Sequence, residues 1–149
     1  MFYLKNLLEW MLFQLLLGIG FAALLCYVHS ASKNYFTGLE WRLNSEYTWM
    51  MFFGAVWWCL KSVLFEELIF RGALCHIGFE RIGAKITMLI SSVCFGIYHW
   101  FSWGVLGNVK MMIITFAMTG LYGWTLAYSY YKTKSILLGT GLHVGWNSI

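Results

Sequence analysis

Long apolar runs alternate with short polar breaks along the chain. The first run, "LLEWMLFQLLLGIGFAALLCYV" (7–28), is long enough to cross a bilayer, which takes about 20 apolar residues. A secretory signal has a shorter apolar core and a small-residue cleavage site, so this run predicts a retained transmembrane helix. A polar stretch follows, "HSASKNYFTGLEWRLNSEYT" (29–48). In it Phe36, Leu39 and Leu43 predict a short helix lying in the membrane interface. A second apolar run starts near Trp49, with helical character to about Gly78. A third runs from about Ile86 to Trp103, and a fourth is "KMMIITFAMTGLYGWTLAYSYY" (110–131). A fifth starts at Ser135 and reaches Ile149. At about 15 residues and 1.5 Å per residue it is too short to span a bilayer alone. The pattern predicts an all-α, polytopic membrane helix bundle with about five transmembrane helices. Residues 1–48 form an N-terminal helix with its polar connection, and residues 49–149 form the core.

Composition strengthens this reading. Of 149 residues, 60% are hydrophobic and only 11% charged, against about 45–50% and about 25% in soluble globular chains. There is no proline, so nothing in the chain breaks a helix by that route. Trp49, Trp103, Tyr130 and Tyr131 stand near the ends of apolar runs, where aromatic rings anchor at headgroup level. A net charge of +4 without any basic cluster suits anionic lipid and excludes a nucleic-acid partner. Cys26, Cys59, Cys75 and Cys94 form no CxxC and lie in apolar segments. They read as small buried hydrophobes, not as a disulfide framework or a zinc site. Lys5, Arg81, Lys85, Lys132 and Lys134 fall on one side of the membrane, and Lys33, Arg42 and Lys110 on the other. The excess favours a cytoplasmic N-terminus. Lys61 lies within the second run, where it either snorkels or lines a polar cavity. The small residues Gly120, Gly123, Ala127, Gly139, Gly141 and Gly145 read as close-packing faces of helices.

Against this background the segment "FEELIFRGAL" (65–74) stands out, because Glu66, Glu67 and Arg71 interrupt a lipid-like stretch. Charges at membrane depth usually face a protein interior or a wet cavity and usually have partners. Glu67 and Arg71 are one helical turn apart with the acid first, the better order for an ion pair. Taken alone they are a structural pair. Phe95 shares a helix face with His99, and His143 with Asn147. Counted from the 78–85 and 132–134 loops, Glu66 lies about 12 residues in, His99 about 14, His143 about 9 and Asn147 about 13. That is roughly 14–21 Å deep at about 1.5 Å per residue. Three helices therefore offer a carboxylate, two imidazoles and a carboxamide at similar depth. His29 reads as interfacial and His76 as structural.

Four chemistries compete for these groups. Peptide hydrolysis needs a base beside a water and donors where negative charge develops. Glu66, His99 and His143 are also a set that zinc accepts, with an open fourth position, although HExxH is absent. Ser91, Ser92 and Cys94 lie near His99 in sequence, but no GxSxG elbow accompanies them. A transporter would show paired repeats, and the sequence has none. A non-catalytic membrane scaffold or immunity protein could keep the same residues.

The motifs "EELIFR", "FGIYH" and "HVGWN" fit EExxxR, FxxxH and HxxxN, in that order and on successive apolar segments. Over about residues 50–149 the chain resembles the CAAX prenyl protease and bacteriocin-processing family of intramembrane glutamic proteases. The passage "YYKTKSILLGTGLHVGWN" is similar to the family's approach to its last motif. The resemblance implies a four-helix catalytic core in which Glu66 and His99 activate a water. It implies that His143 and Asn147 stabilise the oxyanion, while Glu67 and Arg71 brace the site. Phe95 packs to orient His99. No cofactor is implied, with zinc at Glu66, His99 and His143 as the alternative. The implied partners are the lipid bilayer and a membrane-associated peptide or protein: a CAAX protein, a bacteriocin or a C-terminally tagged protein. The small size suggests a prokaryotic plasma membrane.

Overall fold

The computed structural model describes residues 2–39, 42 and 44–147, and every regular element among them is helical. The expected interfacial position Leu43 and the last two residues of the expected fifth helix lie outside the described residues. The fold is all-α.

Helix α1 runs Phe2–Thr37. It continues nine residues past Val28, through the stretch expected to be a polar connection. Nothing in 29–37 breaks a helix: there is no proline or glycine, and Thr37 Oγ1 donates to Lys33 O at 2.7 Å. Gly38 stops it, taking φ +67°, a conformation that glycine reaches without a Cβ clash. Tyr35 and Phe36 are well exposed. They sit on the last turns of α1, not on a separate interfacial helix.

Thr48 opens the next helix, its hydroxyl accepting from Met51 N–H at 3.3 Å, a standard N-cap contact. Helix α2 covers Trp49–Glu67. It runs without a break into a π-helical segment, Leu68–Cys75, and then into the short α3, His76–Arg81. The π segment was not foreseen. Gly83, at φ +81°, turns the chain into α4, Ala84–Ser102. Asn108 caps α5, Val109–Thr133, by accepting from Met111 N–H at 3.2 Å. Lys134 ends α5 in the left-handed region, at φ 54°. Helix α6 follows, Leu137–Asn147, its start fixed by Ser135 Oγ accepting from Leu137 N–H at 3.2 Å.

Among the described residues two stretches, Asn6–Thr37 and Val109–Thr133, are long and apolar enough to cross a membrane. Helices α2 and α4 have 19 residues each, or about 28 Å at about 1.5 Å per residue. Glu66 and Glu67 in α2 and His99 in α4 interrupt their apolar character.

The chain forms two compact units. One is Glu66–Gly139. In it α4 and α5 lie close, and small residues make the approach possible. A Cβ on Gly96 would fall 2.7 Å from Phe116 Cδ2, and one on Gly123 would fall 2.9 Å from Phe95 Cβ. Ser92 Oγ donates to Gly120 O at 2.6 Å, and Trp100 Nε1 to Met112 O at 2.8 Å. Cys75, Met88 and Ala127 form a buried core with Phe79 and Tyr130 packed on it. The second unit is Met1–Phe65 with Thr140–Ile149. There α1 and α6 touch backbone to backbone. A Cβ on Gly141 would collide with Leu15 O, and one on Gly145 would lie 2.5 Å from Ile19 O. Cys26 Sγ reaches Trp146 O at 3.6 Å. All four cysteines are free thiols, and the expected burial holds for Cys26 and Cys75 but not for Cys59, which is partly buried, or Cys94, which is exposed.

Candidate active site

Glu66 and Glu67 close α2, and the π segment supplies Phe70 and Arg71. Glu67 and Arg71 are both fully buried, and Arg71 Nη1 meets Glu67 Oε1 at 3.1 Å. Other contacts enclose the guanidinium. Its Nη2 donates to Gly123 O at 3.3 Å, and its carbon lies 4.5 Å from the centre of the Phe95 ring. A Cβ on Gly139 would come within 3.3 Å of both Glu67 Oε2 and Ser129 Oγ. That space is therefore already filled by the acid. Removing two charges from water costs several kcal/mol per ion, so such a pair holds only when well matched. Here the match consists of an ion pair, a carbonyl acceptor and an aromatic face.

Helix α4 supplies Phe95 and His99 one turn apart. His99 Nδ1 lies 2.8 Å from Phe95 O. A carbonyl only accepts, so this bond puts a proton on Nδ1, and a neutral ring would then present Nε2 as an acceptor. Nε2 faces Glu66 Oε2 at 4.0 Å, with both side chains 8% exposed. That gap is too wide for a direct hydrogen bond. It does suit a shared water: one placed about 2.8 Å from each atom would see them at an angle of about 90°. The Phe95 ring packs on the imidazole at 4.5 Å between centres and on Phe70 at 5.0 Å. One aromatic side chain thus contacts both the arginine and the histidine.

Two further residues escaped the sequence reading. The Tyr98 ring meets Phe70 edge-on at 5.7 Å and His99 edge-on at 5.2 Å. Trp103 stands edge-on to His99 at 5.3 Å and is more than half exposed. Helical spacing gave a hint for Trp103, which follows His99 by four residues. Tyr98 lies next to His99 in sequence, where neighbouring side chains normally diverge.

His143 and Asn147 lie on α6 in the unit formed by Met1–Phe65 with Thr140–Ile149, whereas Glu66 and His99 lie in the unit Glu66–Gly139. His143 is buried, beside the glycines that press on α1. Asn147 is exposed. Among the described residues, no three His, Cys, Asp or Glu side chains gather as a metal-binding group.

A buried acid facing an imidazole nitrogen, in an all-helical chain with bilayer-length segments, has the parts of a membrane hydrolase. Residues 46–149 match the family described as "Type II CAAX prenyl endopeptidase Rce1-like", and the chain belongs to that family of proteases. Together with the two bilayer-length stretches, this makes it a membrane protein. No curated protein matches the chain, and no solved structure does.

Proposed function

We propose that the protein is an intramembrane endopeptidase of the glutamic type. It hydrolyses a peptide bond of a membrane-associated protein or peptide, with CAAX-type proteins as the first substrate class to test. Glu66 is the general base. A water between Glu66 Oε2 and His99 Nε2 gives one proton to Glu66 as its oxygen attacks the scissile carbonyl. His99 accepts the water's other hydrogen and fixes its direction of attack. The carbonyl oxygen becomes an oxyanion that His143 and Asn147 stabilise as donors. Glu66 then returns its proton to the departing amine as the C–N bond breaks, leaving a carboxylic acid and an amine. Glu67 and Arg71 hold the helix that presents Glu66. The protein sits in a prokaryotic plasma membrane with its N-terminus in the cytoplasm.

The observation that carries this reading is the Glu66–His99 pair, at 4.0 Å and largely buried, with the imidazole proton pinned on the far nitrogen. The test uses full-length protein in liposomes and a quenched, lipid-anchored CAAX peptide. Wild type is expected to cleave it. Glu66→Gln, which keeps shape and loses the base, is expected to give no detectable product while remaining folded. In this reading the side chains activate the water without a metal. An unchanged rate after treatment with 1,10-phenanthroline supports that, and a loss restored by zinc overturns it.

A further inference from the structure

Three segments meet at one end of the unit Glu66–Gly139: α3, the start of α4 and the end of α5. Phe79 of α3 stacks on Tyr130 at 5.9 Å and meets Tyr131 edge-on at 5.4 Å. Ala84, the first residue of α4, packs with Phe79 and Tyr130 on the core around Cys75. Four exposed cations stand on these segments. Lys134 Nζ lies 4.7 Å from the centre of the Tyr131 ring and 5.8 Å from that of Phe79, and Lys132 Nζ lies 5.4 Å from that of Tyr128. Arg81 follows Phe79 by two residues, and Lys85 follows Ala84. Glu80 is the sole acid in residues 76–85 and 128–135. Among the described residues no carboxylate pairs with any of the four cations. A ring face attracts a cation but leaves its charge in place. The backbone points the same way. Among the described residues Lys134 is the one non-glycine with a positive φ, at 54°. That position after a helix usually goes to glycine, because a Cβ is strained there. Here the chain carries a lysine instead, and its ammonium lies beside two rings.

We propose that this cluster binds the phosphodiester headgroup of an anionic phospholipid, tying α3 to the end of α5 at the membrane surface. Lysine binds phosphate as a point charge, and each basic side chain near an anionic leaflet strengthens attachment about fivefold. Aromatic rings settle at the same headgroup level. The apolar surroundings select a lipid over a free phosphate. Ile77 on α3, Ile82 in the turn and Ile86 on α4 are each about half exposed, where acyl chains would cover them. Inorganic phosphate would use the charges and leave this apolar surface bare. The lipid site is independent of the roles of Glu66 and His99.

The test uses full-length protein in detergent, titrated with phosphatidylglycerol, phosphatidylcholine or inorganic phosphate while Tm is followed. A ligand that binds only the folded protein raises Tm with its concentration, which yields an apparent Kd. Phosphatidylglycerol is expected to raise the Tm of the wild type, and the other two to leave it unmoved. Lys134→Gln should weaken phosphatidylglycerol binding about fivefold, and Lys132→Gln with Lys134→Gln about twenty-fivefold. Both should keep the lipid-free Tm, since exposed substitutions off the core change stability little. Arg81→Gln with Lys85→Gln repeats the measurement from the α3–α4 side, with the same expected loss as the lysine pair. Lys110→Gln is the control. It stands at the opposite end of α5, about 36 Å away at about 1.5 Å per residue, and should bind like wild type. Binding at wild-type strength by either double variant overturns the proposal, as does an equal shift with phosphatidylcholine. An equal shift with inorganic phosphate overturns the choice of a lipid. A loss at Lys110→Gln as large as at Lys134→Gln also overturns it, by reducing the site to general surface charge.

Discussion

Glu66 and Glu67 are neighbours in the chain, yet they live in different chemistry. Glu67 points into a filled pocket, with Arg71 at 3.1 Å and no exposure on either side chain. Glu66 instead faces an imidazole nitrogen 4.0 Å off. Consecutive helical positions differ by about 100° around the axis, and that rotation alone separates the two. The difference shows what a fixed counter-ion does. A carboxylate locked against a guanidinium has its lone pairs committed and contributes to structure. A carboxylate opposite a neutral acceptor still has an oxygen to offer a proton. Burial alone marks neither role, since both residues are buried.

The comparison breaks most sharply at Glu67. Glu67→Ala leaves Arg71 buried without its counter-ion, which typically costs about 3–5 kcal/mol. Thermal unfolding followed in detergent should show a large drop for Glu67→Ala and little change for Glu66→Gln. Equal stability of the two variants would mean that the acids are not divided as described. A milder effect is expected at the far end of the chain. Asn147→Ala removes a proposed oxyanion donor and spares base and water, so cleavage should slow by about a hundred- to a thousandfold yet stay measurable. Substrate binding should be retained, because that contact acts mainly in the transition state. Lost binding with a normal residual rate would make Asn147 a substrate contact. The smallest effect tests the residue shared by both regions. Gly123→Ala places a methyl 2.9 Å from Phe95 Cβ, and overpacking of this kind costs about 1–3 kcal/mol. Since Phe95 touches both Arg71 and His99, stability and turnover should fall together. A fall in only one would show that the two sites are mechanically independent.

Much of this was legible in the residues. Apolar runs marked α4, α5, the start of α6 and the continuous helical stretch from Trp49 to Arg81 to within a few residues, because a bilayer demands continuous apolar length. The spacing of Glu67 and Arg71 announced a contact of one helical turn. The end of α1 was misplaced because the polar residues from His29 to Thr37 show where lipid would end, not where backbone hydrogen bonding ends. Only Gly38 carries the stop signal. The π segment left no trace in the pattern, since a change from i+4 to i+5 backbone bonding alters no side chain. Tyr98 stayed hidden for a related reason. Periodicity finds residues that share a face, and Tyr98 packs on Phe70 from a face next to that of His99.

That wide-turned segment, Leu68–Cys75, also acts as an angular spacer. Wider turns hold more residues each. The direction in which Glu66 and Glu67 point, relative to His76 and Phe79 beyond the segment, is therefore offset from what an unbroken α-helix would give. Deleting a single residue from it would tighten the turns toward α geometry and swing the two acids by about 100° against α3. The amino acids and their order would otherwise be preserved, but the carboxylates would aim elsewhere. The winding of this segment thus sets how the two carboxylates are aimed relative to α3.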